Sequence, residues 1–221
     1  EDDAETRQVV SDAGVAPPFE VVTVPVSLPR TKPKACNVGL AQARGELLVI
    51  YDAEDRPERD QLKKAAQIFM ASSADVICLQ AQLNFYNHDR NFLTRLFAAE
   101  YSCWFDYCLP GLFALQAPIP LGGTSNHFRL EELRRLQGWD PYNVTEDCDL
   151  GIRLYIDGRV TGMLYSTTWE EATFRLLPWI RQRSRWIKGY FQTYLVHLRQ
   201  HHTLVKRMGL IATMHFHKIG R

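Results

Sequence analysis

The chain has 221 residues and a mass of 25.5 kDa, enough for one sizeable core and one domain. Hydrophobic residues make up 46% and charged residues 23%, a balance that excludes a disordered chain. The formal net charge of +1, from 26 basic against 25 acidic residues, gives no reason to expect nucleic acid as a partner.

Charge is unevenly spread: Glu1 to Glu20 is acidic and Arg175 to Arg221 is basic. Cys36, Cys78, Cys103, Cys108 and Cys148 form no C-x-x-C pair and are odd in number, which reads as reduced thiols of a cytosolic compartment. No run approaches the roughly 18 apolar residues of a transmembrane helix. There is no signal peptide and no initiator Met, so the sequence is expected to be a piece of a longer protein.

In chain order, Glu20–Val26 reads as a strand with Pro25 marking an edge. Pro33 to Ala43 reads as a helix ending at Gly45. Glu46–Tyr51 is an apolar strand, and Pro57 is expected to open a helix running to Met70. Asp75–Leu83 is a further strand. This β-α-β-α-β order predicts a largely parallel, three-layer α/β sheet. Asn91–Leu109 carries aromatics at helical spacing, read as a core helix in preference to a membrane-touching one. Gly122-Gly123 marks a tight turn or close backbone approach. Helices are expected over Leu130–Leu136 and Glu146–Ile156, the second stopped by Gly158. A short strand is expected over Arg159–Tyr165, and a long helix from Trp179 to His201 behind Pro178.

Three islands carry chemistry. Asp52-Ala53-Glu54-Asp55 follows the apolar strand, placing carboxylates at a strand's carboxyl end, where open α/β sheets bind ligands. A hard cation such as Mg²⁺ or Mn²⁺ uses one or two carboxylates plus substrate phosphates. A solvated acidic loop at a helix start reads equally well. Thr145-Glu146-Asp147 opens a helix, with Thr145 a natural N-cap and the acids favoured there electrostatically. The functional alternative makes Asp147 a general base. Gln182, Arg185 and Trp186 fall at i, i+3 and i+4 on one helix face. Such a face offers an aromatic platform for a sugar ring and a cation for phosphate, or simply an inward Trp and a snorkelling Arg. Arg181 and Arg183 fall on other faces and read as solvent or membrane-surface charges. Lys32 and Lys34, before Asn37, are within reach of a phosphate, though exposed lysines are common. His201, His202, His215 and His217 lack matching acids or cysteines for a metal site.

In order and spacing, Asp52-Ala53-Glu54-Asp55, Gly122-Gly123-Thr124-Ser125-Asn126, Thr145-Glu146-Asp147 and Gln182-Arg183-Ser184-Arg185-Trp186 resemble the family-2 glycosyltransferases. Within them the chain is most similar to the bacterial cellulose-synthase-like, processive, membrane-bound branch. The resemblance implies an α/β glycosyltransferase-A fold, truncated at its N-terminus. A nucleotide-sugar half would run from about residue 1 to 85, and an acceptor half, with an interfacial C-terminal helix, from about 86 to 221. It implies inverting transfer from a UDP-sugar, glucose first, to a β-linked glycan acceptor, with Mg²⁺ or Mn²⁺ as cofactor. Asp52 and Glu54 would hold metal and UDP, and Asp147 would be the base, with Glu146 beside it. Gln182, Arg185 and Trp186 would bind the diphosphate end and the acceptor sugar. The Gly122–Asn126 turn, with Gly123, Thr124 and Ser125, would line the acceptor side.

Two departures from the family pattern stand out. Its metal motif is usually Asp-x-Asp, whereas here Glu54 takes the second place and Asp55 follows, so either can be the ligand. The family's first nucleotide-binding strand is also missing, which leaves Asp2 or Asp3 as the expected uracil-contacting acid. The resemblance further implies flanking transmembrane helices outside this sequence and a place at the cytoplasmic face of the bacterial inner membrane. The rival expectation is an inactive domain of the same fold, serving as a nucleotide-sugar sensor or membrane-surface scaffold.

Overall fold

The computed structural model describes residues 3–199. Asp2 and the four C-terminal histidines named above lie outside them. A five-stranded mixed sheet has the order β1-β4-β3-β5-β2. Its strands are β1 (Leu47–Val49), β2 (Arg56–Pro57), β3 (Val76–Phe85), β4 (Asn126–Arg129) and β5 (Val160–Glu170). β3 is the central strand. It reads as a nearly continuous buried run because it is covered on both faces.

The expectation of a largely parallel sheet is corrected here. Only β3 and β5 run parallel, whereas β1–β4, β3–β4 and β2–β5 are antiparallel. Two strands run against the rest: β2 at one edge, and β4, a four-residue strand that slots between β1 and β3 and that the apolar pattern did not announce. Its entry is set by Ser125, whose φ of 56° turns the chain and whose N–H donates to Ile50 O at 2.8 Å.

Helix α1 (Ala4–Asp12) buries no residue. Helix α2 (Lys32–Gln42) starts at the expected proline and ends at Ala43, before Gly45. The residues expected as a strand at Glu20–Val26 form no strand of the sheet, and Val21 and Val26 are exposed. Pro57 does not open a helix. It closes β2 opposite Thr168, and α3 (Gln61–Ala71) begins one turn later.

Helix α4 (Phe92–Ser102) is capped by a reciprocal Asn91–Thr94 pair. It continues through a π-helical turn, Cys103–Cys108, into α5 (Leu109–Ala114). Phe97, Phe105 and Leu109 face the core, while Phe92, Leu96 and Tyr107 are exposed. Helix α6 is Leu130–Arg135, and α7 covers Glu146–Ile156 as the spacing predicts. Gly151 lets α7 press against the preceding loop, since a Cβ there would lie 2.2 Å from Ile119 O. Helix α8 (Leu176–Leu198) starts three residues before the expected Trp179. Among the described residues no helix is long and apolar enough to cross a membrane.

Candidate active site

Four segments converge at one end of the sheet. The exit of β1 supplies Asp52, Glu54 and Asp55. The first turn of α2 supplies Lys32, which pairs with Asp52 and donates to Gly123 O at 2.8 Å. Burial disfavours the ammonium, yet the hydrogen bond and charge of Asp52 outweigh it and raise the Lys32 pKa. Asp55 turns inward: its Oδ2 accepts the Asp52 N–H at 2.7 Å and the Thr124 hydroxyl. Its Oδ1 is buried with no partner, and burial lifts the carboxyl above its usual range.

The turn at 122–126 is held from below. Gln80 Oε1 accepts the Gly122 N–H at 2.7 Å, and Asn126 Nδ2 donates to Gly122 O at 2.6 Å. The Ser125 hydroxyl donates to Thr168 Oγ1 at 2.7 Å. Thr124 and Ser125 therefore spend their hydroxyls inside the scaffold, and Gly123 presents backbone to the site.

The start of α7 brings Asp147 to that turn. A Cβ on Gly123 would stand 3.4 Å from Asp147 Oδ2. The other oxygen accepts the Cys148 N–H at 2.7 Å. Burial, with the charge of Glu146 adding to it, lifts Asp147 to about 7. Burial also raises Glu146, with Asp52 adding and Lys32 opposing. Thr145 occupies the N-cap position but makes no capping bond through its side chain. Its hydroxyl lies 3.2 Å from that of Thr193 on α8.

Helix α8 closes the far side. Gln182 Oε1 accepts from the Thr173 hydroxyl at 3.5 Å, and Arg185 is exposed. Trp186 is half-buried against Phe97, with ring centroids 6.1 Å apart. Arg183, expected as a free surface charge, instead forms a two-armed ion pair with Glu100. Its guanidinium lies 4.6 Å from the Phe97 ring centre and 5.0 Å from that of Trp186. The cation is retained there because the rings and the carboxylate replace its water.

Other expected contacts go elsewhere. Asn37 clasps the backbone of Trp139 through both amide atoms, at 2.7 and 3.0 Å. Lys34 donates to Pro25 O and Ser27 O at 2.6 and 2.7 Å. Asp3 caps α1 through the N–H and hydroxyl of Thr6.

Glu170 and Tyr190 were not expected among the site residues. Glu170 is lifted to about 8 by burial, with the charges of Asp55, Asp52 and Glu54 adding. Carrying the β5 alternation past Tyr165 would have reached it. The Tyr190 phenol is raised by burial and by the charge of Asp147, and one helical turn beyond Trp186 was the available signal.

No three His, Cys, Asp or Glu side chains gather in metal-holding geometry among the described residues. The acids that do converge are hard oxygen donors, and Asp55 Oδ1 is an orphan. They fit a cation that takes most of its ligands from phosphate and water. Glu54 is exposed and lines a cleft of about 380 Å³ with Phe174, Arg175 and Pro178.

The sequence profile described as Glycosyl transferase family group 2 matches residues 47–219. The chain belongs to that family. Among curated relatives it is 25% identical over 197 residues to the probable glycosyltransferase YdaM of Bacillus subtilis, covering 89% of this chain and 47% of that protein. It is 30% identical over 175 residues to the beta-monoglucosyldiacylglycerol synthase of Synechocystis, covering 76% of this chain and 35% of that protein. The chain thus spans less than half the length of these relatives. Among solved structures, the mannosyltransferase PcManGT of Pyrobaculum calidifontis, in complex with GDP-Man and Mn2+, matches with a TM-score of 0.63 at 20% identity. That match covers 89% of this chain and 52% of that one, and the shared architecture is the glycosyltransferase-A fold.

Proposed function

We propose that this family member carries the catalytic centre of a metal-dependent, inverting glycosyltransferase of the cellulose-synthase-like branch. It moves a hexose, glucose first, from a UDP-sugar to a hydroxyl of a β-linked glycan acceptor. The observation that carries this is Asp147. A carboxylate lifted to about 7 lies against the Gly123 backbone, whose carbonyl accepts from Lys32, itself paired with Asp52. A base of that pKa is half ionised at neutral pH and still accepts a proton readily.

In the transfer, the acceptor oxygen attacks the anomeric carbon as the bond to the diphosphate breaks. Asp147 takes the acceptor proton. Lys32 and Arg185 would supply cations for the diphosphate, where negative charge develops. Asp52 with Glu54 or Asp55 would hold Mg²⁺ or Mn²⁺, which when bound would offset that charge. Trp186 and Gln182 would set the acceptor sugar against Asp147. The Mn2+ in the PcManGT complex supports the cofactor assignment.

The same reading puts the parent protein at the cytoplasmic face of a bacterial inner membrane. The support is α8, where Ile180, Ile187, Phe191 and Leu195 are exposed alongside Arg181 and Lys188. A second reading of the acceptor, a diacylglycerol hydroxyl, is favoured by three relatives at 28–30% identity that are named beta-monoglucosyldiacylglycerol synthases.

The test is calorimetric titration of UDP, UDP-glucose, UDP-N-acetylglucosamine and GDP-mannose, with and without Mn²⁺. Metal-dependent binding that Asp52→Ala removes is expected, and the tightest sugar names the donor. Binding to UDP that ignores both Mn²⁺ and Asp52→Ala would overturn the metal assignment. Turnover assays with glucan and with diacylglycerol then separate the two acceptors.

A further inference from the structure

The face of α8 that carries Gln182 and Trp186 continues, turn by turn, through Gly189, Thr193 and His197. Each of these three meets the segment that leads into α7 or its first turn. A Cβ on Gly189 would lie 2.5 Å from Thr145 Cγ2 and 3.0 Å from Thr145 N, so only glycine allows this approach. One turn on, Asn143 Nδ2 donates to Thr193 Oγ1 at 2.7 Å, and Thr145 Oγ1 is 3.2 Å from the same atom. Thr193 is 1% exposed. Another turn on, His197 Nε2 lies 2.8 Å from Asp149 Oδ1, while Asp149 Oδ2 accepts from Arg153 Nε at 2.8 Å.

These contacts shape the residues just before Asp147. Asn143 Oδ1 accepts the Thr145 N–H at 3.0 Å, so the amide of Asn143 joins α8 to the backbone entering α7. An apolar seam would tolerate sliding by a fraction of a turn. A buried Asn–Thr–Thr chain does not, because any shift leaves a donor without an acceptor. The other end of α8 is fastened to α4 through Arg183 and Glu100. The helix therefore spans the site between two fixed points.

We propose that Gly189 and Thr193 are positioning residues for glycosyl transfer. They fix the register of α8 on Asn143–Thr145, and thereby the distance from Asp147 to the face of Gln182, Arg185 and Trp186. This rests on the reading of Asp147 as the base. The chemistry explains why register matters: the acceptor is gripped from α8, but its proton leaves toward α7. A displacement of about 1 Å between the two costs on the order of 10²-fold in rate.

The experiment compares Gly189→Ala, Thr193→Val, Thr193→Ser and Asp147→Asn in the full-length protein. It reads steady-state release of nucleoside diphosphate and calorimetric binding of UDP with Mn²⁺. Gly189→Ala and Thr193→Val are expected to lower kcat by about 10- to 100-fold, with donor KM and UDP affinity within about twofold of wild type. Thr193→Ser, which keeps the hydroxyl, is expected to restore most of kcat. An unchanged kcat in Thr193→Val, equal losses in the Ser and Val variants, or UDP affinity falling in parallel would overturn the proposal. If Gly189→Ala does not fold, the Thr193 pair decides alone. Full turnover in Asp147→Asn would sink the base assignment. An inactive Asp147→Asn beside a normal Thr193→Val would sink only the positioning role.

Discussion

Asp147 is the base of the proposed reaction, and its environment sets two expectations of opposite sign. In that role it would have to be ionised, so activity is expected to fall as the pH drops below about 7. Asp147→Asn is expected to lower kcat by roughly 10²–10⁴-fold, the span of a general base. Folding pulls the other way. The folded-state pKa lies above the unfolded value of 3.8, so the folded state holds the proton more tightly and loses stability as pH rises between those values. Asp147→Asn should therefore raise Tm at pH 8, with the gain vanishing near pH 4. Thermal melts across that range check it, and a Tm gain that persists at pH 4 would contradict it. The acid itself was legible in the sequence, from its place in Thr145-Glu146-Asp147. The identity of its neighbours was not, because Gly123 and Tyr190 reach it only through tertiary packing.

At the scale of elements, helices were easier to read than strands, for a physical reason. α7 opens on an acid-rich first turn, has six of its eleven residues buried, and ends just before Gly158, whose φ is positive. A strand's identity depends on its partner. Glu20–Val26 has the composition of a strand but no place in the sheet, whereas Asn126–Arg129 has little strand character and sits between two strands. The parallel sheet was expected from element order alone, and β4 and β2, both running against β3, are what break it. Arg183 was misjudged because its helix-wheel position points away from Trp186's face, although its side chain is long enough to fold back over the rings. One element-level prediction concerns Gly151. Gly151→Ala forces a methyl onto Ile119 O, and overpacking of this kind costs about 1–3 kcal/mol. Urea denaturation should show it as a lower midpoint with an unchanged m-value.

For the whole molecule, a net charge of +1 hides a division of labour. Acids gather at the ends of β1 and β5, whereas α8 offers cations beside exposed apolar side chains. That pairing is what a helix lying in a lipid headgroup region presents. Sedimentation with anionic vesicles is expected to carry the protein down at low salt and release it partly at high salt. No binding to such vesicles would remove α8 from the membrane.

The Lys32–Asp52 pair has a consequence for the order in which ligands arrive. Lys32 is the counter-ion of the first acid in the cluster. On the proposed metal assignment, a divalent ion drawing on Asp52 would compete with it. Metal alone would displace the lysine without replacing its anion, whereas a metal–diphosphate complex would offer Lys32 a new one. The metal–nucleotide complex is therefore expected to bind more readily than the metal alone. Lys32→Gln is expected to tighten Mn²⁺ binding measured alone and to weaken UDP binding measured with Mn²⁺. A parallel change in both would mean that the lysine holds no such place.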